Sequence, residues 1–119
     1  MTGNSFSRNE RLKNNALIKK VFDKGAPFRA RLITVFLLKR DYASGVNRAA
    51  FVVRKSLYNK KLVLRNRFRR ILRQAYVKTK GLLPAGHDIV ILGSNLKKDT
   101  KSSEIQKELA YVFKKRVKK

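Results

Sequence analysis

Apolar positions along the chain fall into clusters whose spacing changes from one to the next, and each spacing predicts an element. Leu17, Ile18, Val21 and Phe22 lie on one helical arc, with Ser7-x-x-Glu10 as a capping box ahead of it and Gly25-Ala-Pro27 ending it. RLITVFLLKR (Arg31–Arg40) is β-branched and aromatic and apolar on both faces, which predicts a strand covered on both sides. DYASGVN (Asp41–Asn47) reads as a turn of the kind that joins antiparallel strands, leading into a second strand, RAAFVVRK (Arg48–Lys55). A long helix over roughly residues 60–80 places Leu64, Phe68, Ile71, Leu72 and Ala75 on one arc, with Gly81 as its stop and Pro84 and Gly86 in the following loop. HDIVILG (His87–Gly93) is a continuous apolar run, a short strand buried on both faces. A last helix, Ser103–Lys118, takes Ser103-x-x-Gln106 as its cap and Ile105, Leu109, Val112 and Phe113 as its core stripe. The order α-β-β-α-β-α, with room for one short extra strand, predicts an α+β fold: a small mixed sheet packed by helices.

The 119 residues amount to one domain, 1–119, with residues 1–6 as a loose, flexible tail. A hydrophobic content of 43% is enough for a packed core. No apolar run approaches the roughly 20 residues of a membrane span, and the opening MTGNSFSRNERLKNN lacks a signal-peptide layout. The expected location is the cytoplasm, with no membrane association. The chain has no cysteine, which removes disulfides, thiolate nucleophiles and cysteine-based zinc sites.

Charge changes the picture most. Thirty-one Lys and Arg face seven Asp and Glu, a formal net charge of +24. Self-repulsion on that scale disfavours a compact state unless a polyanion binds it, and a phosphate backbone is the polyanion with the largest counterion-release term. Between Asp41 and Asp88 no carboxylate occurs at all, and the long helix lies inside that interval.

Chemistry borne by the protein itself finds little support. The lone histidine, His87, has no cysteine or second histidine at metal spacing and reads as structural or exposed. The carboxylates Glu10, Asp23, Asp41, Asp88, Asp99, Glu104 and Glu108 contain no D-x-D or E-x-x-E pair that would clamp two metals. Glu104 and Glu108 read as first-turn residues that complement the dipole of the last helix. No phosphate-cradling glycine loop is present.

The long helix carries the strongest functional signal, in RNRFRRILRQAY (Arg65–Tyr76). At about 100° per residue Arg65, Arg69 and Arg73 form one stripe, Asn66 lies beside it, and Arg67 and Arg70 continue round the far side. A merely solubilising face mixes signs, whereas here like charges recur at i,i+4 at a cost in helix stability. Arginine's planar fork also binds phosphate bidentately and stacks on bases. Direct nucleic-acid contact is the better reading, with RNA and DNA left open. Phe22, Phe28 and Phe36 are core by composition, or stacking platforms if exposed beside cations. Lys55 and the C-terminal FKKRVKK are candidates for secondary phosphate contacts, the latter more simply a solvated helix end. A ribosomal protein and a duplex-DNA binder are the rival classes; for the second, only Asn66 and Gln74 offer amide base readout on the helix.

LRNRFRRILRQAY (Leu64–Tyr76) closely resembles the arginine motif of the protein subunit of bacterial ribonuclease P. Arg11–Leu38 is similar to that family's first helix and strand, FVVRKS to its lysine-bearing strand, and HDIVILG and the final basic helix fall in the expected places. The resemblance implies a two-layer α-β sandwich with a left-handed β-α-β crossover around the motif helix, contrary to the usual hand. It implies a non-catalytic protein subunit of an RNA-based endoribonuclease. The partners would be the ribonuclease P RNA and precursor tRNA, with no obligate protein partner evident. Mg²⁺ held by the RNA and its substrate would serve removal of the 5′ leader. By position, Arg65, Asn66, Arg67, Arg69, Arg70 and Arg73 would contact the catalytic RNA. Ile18, Phe22, Phe36 and Lys55 would line the leader cleft between the first helix and the sheet. The chain departs from the family where Ile18 replaces a common aromatic and where the connection SLYNKKLVL lengthens the approach to Arg65.

Overall fold

The most apolar run of the chain takes the most enclosed place in the fold. The computed structural model describes residue 6 and residues 8–40, 46–59 and 61–117. The helices are α1 (Asn15–Lys24), α2 (Lys55–Tyr58), α3 (Leu62–Thr79) and α4 (Ser102–Val117). The strands are β1 (Ala26–Arg29), β2 (Ile33–Lys39), β3 (Arg48–Val53) and β4 (His87–Gly93), in the spatial order β1-β2-β4-β3. Strand β4 is antiparallel to β2 and parallel to β3, so α3 is the crossover between parallel neighbours. The predicted α+β architecture, a small mixed sheet packed by helices, is the one observed.

Strands β2 and β3 run antiparallel, as the turn at Asp41–Asn47 predicts, but they are not neighbours, because β4 lies between them. Val90 of β4 stands between Phe36 of β2 and Ala50 of β3. The reason is burial: six of β4's seven residues, all but Leu92, are buried, and only a central strand covers such a run on both faces. Residues 41–45 of that connection lie outside the described residues. The extra strand is β1, which follows α1 directly; Pro27 fits there because an edge strand does not need every backbone N–H.

The alternation of β2, β3 and β4 builds two apolar layers. Val35, Leu37, Ile89, Ile91 and Ala49 face α3 and α4, where Phe68, Ile71, Leu72, Ala75, Ile105, Leu109, Val112 and Phe113 complete the main core. Ala50 and Val90 face the other way, under Val21 of α1, with Phe22, Phe36 and Val52 packed around them. The sheet with α3 and α4 is the expected two-layer sandwich, and α1 lies across its opposite face.

Several local boundaries differ from the sequence pattern. Helix α1 starts at Asn15, where Asn14 Oδ1 accepts from the Ala16 N–H at 2.8 Å. Ser7 of the expected capping box lies outside the described residues. Glu10 of that box instead meets Lys80 Nζ at 2.8 Å and ties the N-terminal segment to the end of α3. Phe6, the last residue of the expected tail, packs on Phe51 and Tyr76 at centroid distances of 5.4 and 5.9 Å; residues 1–5 lie outside the described residues. Burial and the Glu10 carboxylate push the Tyr76 phenol well above its ordinary range, so Tyr76 stays neutral. Gly81 does not stop the long helix, which runs on into a 3₁₀ turn, Lys80–Leu82. Lys101, not Ser103, precedes the last helix, and its N–H is taken by Glu104 Oε2 at 2.9 Å.

The ends of β2, β3 and β4 are pinned by buried charge. Asp88 Oδ1 accepts from Arg40 at 2.8 Å and from Arg48 Nε at 2.9 Å, and its Oδ2 takes a second Arg48 N–H at 2.9 Å. Arg40 also donates to Val46 O, drawing the chain that enters β3 back against the sheet. His87 is buried beside this cluster, its Nδ1 2.9 Å from Pro84 O, a structural role. Among the described residues no helix is long and apolar enough to cross a membrane.

Candidate nucleic-acid interface

The apolar arc of α3 decides where its arginines go. Phe68, Ile71, Leu72 and Ala75 are buried against the sheet and α4, so the opposite side of the helix must face solvent. Asn66, Arg67, Arg69, Arg70 and Arg73 are all exposed there. They form one wall of an open cleft of about 930 Å³ along the β3 edge of the sheet. Ala49–Val52 supply its floor, and Leu12, Asn15 and Ile18 the side towards α1. Arg11 and Lys13 add positive charge from the N-terminal segment, which lies along β3 through a Leu12 N–H to Ala49 O bond of 3.0 Å.

Arg65 is not part of this wall. A row at i, i+4, i+8 drifts about 40° round the helix at each step, so a row that reaches the cleft at Arg73 begins near the core edge. Arg65 is accordingly half-buried. The row that faces the cleft is Asn66, Arg70 and Arg73, flanked by Arg67 and Arg69.

Among the described residues no carboxylate lines that cleft. Among the described residues none of the α3 arginines pairs with Asp or Glu; the ion pairs are Arg31–Glu108, Arg40–Asp88, Arg48–Asp88 and Lys80–Glu10. Glu10 and Asp88 are spent on architecture. Glu108 is a further case: its Oε1 takes the Leu32 N–H at 2.9 Å, so it fastens the β1–β2 turn to α4 instead of serving the helix dipole alone.

The proposed leader residues divide. Phe22 and Phe36 meet edge to face at 4.8 Å on the α1 side of the sheet, both half-buried. They are packed yet keep part of their surface accessible, whereas Phe28 packs on the main core. Ile18 lines the cleft and packs in the same cluster as Phe22 and Phe36, so one apolar surface runs from the cleft onto the outer sheet face. Lys55 lies apart. It is the first residue of α2 and lines a separate hollow with Ser56, Asn59 and Lys61. The lengthened connection is absorbed by α2 and by Asn59, whose φ of 53° turns the chain.

Arg11, Lys13 and Phe6 carried no local signal in the sequence. Their place in the cleft depends on a strand pairing with β3 some forty residues away, which no spacing rule shows. Among the described residues no group of three or more His, Cys, Asp and Glu side chains is arranged to hold a metal ion.

The Ribonuclease P family model matches residues 6–117 of this chain. A ribonuclease P protein component from Bacillus cereus is 32% identical over 116 residues, covering 94% of this chain and 98% of its own. One from Clostridium acetobutylicum is 28% identical over 108 residues, covering 91% and 89%. The structure of the Staphylococcus aureus RNase P protein superposes with a TM-score of 0.72 at 28% identity, covering 92% of this chain and 95% of that one. The Thermotoga maritima RNase P protein, at 23% identity, shares the fold with a TM-score of 0.70 over 89% of this chain and 96% of its own.

Proposed function

Because the chain belongs to the ribonuclease P protein family, we infer that it is the accessory, RNA-binding subunit of a ribonucleoprotein that removes the 5′ leader of precursor tRNA. The catalytic RNA lies against the α3 face, with phosphates on Arg67, Arg69, Arg70 and Arg73 and Asn66 among them; Arg65 supports that face from the core side. The single-stranded leader follows the apolar surface of Ile18, Phe22 and Phe36, and Lys55, in its separate hollow, would meet a phosphate beyond that surface. The observation that carries the reading is the pairing of an acid-free arginine wall with an adjoining half-exposed aromatic surface. Mg²⁺ held by RNA and substrate supplies the metal-ion chemistry. The protein's residues lower the repulsion between two polyanions and hold the substrate in place. Such a subunit works in the cytoplasm, where tRNA matures.

The test is processing of precursor tRNA by the partner RNA at low Mg²⁺, with and without the protein. The expected result is a higher cleavage rate with protein, the difference narrowing as Mg²⁺ is raised and takes over charge neutralisation. Equal rates at low Mg²⁺ would sink the reading. Duplex DNA is the alternative ligand, and long duplex should fail to displace leader-bearing tRNA from the particle.

A further inference from the structure

The cleft occupies one edge of the sheet, and the outer face of α4 stands over the other half. Helix α3 packs on β3, whereas α4 packs on α3 and β2. The core stripe of α4, Ile105, Leu109, Val112 and Phe113, leaves the opposite side to solvent. On that side Tyr111 is 65% exposed, the one exposed large aromatic among the described residues. Lys107, Tyr111 and Lys115 follow one another at i, i+4 and i+8, a single stripe of the helix about 12 Å long. Lys115 Nζ lies 5.9 Å from the Tyr111 ring centroid, over its face.

A second element brings charge to the same stripe. Arg31, in the β1–β2 turn, has 76% of its side chain exposed, with Nε 3.8 Å from Glu108 Oε2. Glu108 lies one turn before Tyr111. Its other oxygen holds the Leu32 N–H, which anchors the turn, and among the described residues neither Lys107 nor Lys115 forms an ion pair. A flat ring between cations suits an unpaired base and its flanking phosphates. Self-association through this patch would bring like charges together on a chain of net charge +24.

Resting on the RNA-binding reading above, we propose that the outer face of α4 is a second contact surface for the catalytic RNA. An unpaired nucleobase stacks on Tyr111, and Lys107, Lys115 and Arg31 meet the phosphates on either side. The leader is assigned to the α1 side of the sheet, which leaves the larger RNA as the occupant here.

The test titrates the full-length protein against the ribonuclease P RNA of the same genome at several salt concentrations. The variants are Tyr111→Ala, Tyr111→Phe, Lys107→Ala with Lys115→Ala, and, in parallel, Arg70→Ala with Arg73→Ala. Tyr111→Ala should weaken binding about tenfold, and Tyr111→Phe, which keeps the ring, should bind as wild type. The double lysine variant should lower the slope of log affinity against log salt by about one to two. Wild-type binding by Tyr111→Ala beside a weakened Arg70/Arg73 variant overturns this proposal and leaves the α3 reading standing. Wild-type binding by both overturns the two together. Equal weakening by Tyr111→Ala and Tyr111→Phe overturns stacking. Tyr111 is exposed, so its variants fold, and circular dichroism checks that they do.

Discussion

Replacing Arg69, Arg70 and Arg73 together with alanine is expected to weaken binding of the catalytic RNA on the order of a hundredfold at moderate salt, while leaving the free protein at least as stable as before. Both halves follow from where these residues stand. All three are exposed, line the cleft and have no carboxylate partner among the described residues. Their removal deletes no packing. It relieves the like-charge pair Arg69–Arg73 at i,i+4 and introduces a better helix former. In complex, each loses charge-assisted contacts to phosphate, and the salt slope should fall by about two. Titration at several salts and thermal unfolding of the free protein measure the two halves separately. Loss of binding with loss of stability would mean that the arginines hold the helix in place instead of holding RNA.

Asp88→Ala is expected to do the reverse, with an effect on stability of about 3–5 kcal/mol. The side chains of Asp88 and Arg40 are only 6% and 9% exposed, so the substitution strands a buried guanidinium. Arg48 loses a two-point pairing on the same carboxylate, across the register that joins β3 to β4. A domain of this size is typically stable by about 5–15 kcal/mol, so the variant should be marginal or unfolded at physiological temperature. Urea denaturation reads the difference. A loss below about 1 kcal/mol would show that solvent reaches the stranded arginines and compensates them.

What could be read from the sequence was local. The core arc of α3 and the bounds of β4 follow from periodicity and from an unbroken apolar run, and both stand as expected. The arginine face was legible for the same reason, since a helix with a known core has a known opposite side. Arg65 stands outside the cleft wall because an i,i+4 row drifts round the helix to the core edge. The insertion of β4 between β2 and β3 was not legible because strand order is set by which run most needs burial on both faces, and β4 arrives in sequence only after α3. Glu10, Glu108 and Asp88 have partners 70, 76 and 48 residues away, so their roles as ties could not be inferred from neighbours. Phe6, Arg11 and Lys13 join the cleft through the same kind of long-range contact.

Whether RNA lies in the cleft between α1 and α3 is open to one direct measurement. The chain has no cysteine, so a single introduced thiol carries a photo-crosslinker to one defined position. Ile18→Cys and Asn66→Cys place it inside the cleft, and Leu82→Cys, on the exposed 3₁₀ turn beyond α3, places it outside. In the particle reconstituted with partner RNA and precursor tRNA, cross-links are expected from Ile18→Cys to the leader and from Asn66→Cys to the catalytic RNA, with little from Leu82→Cys. Strong cross-links from Leu82→Cys with none from either cleft position would contradict this placement of the RNA.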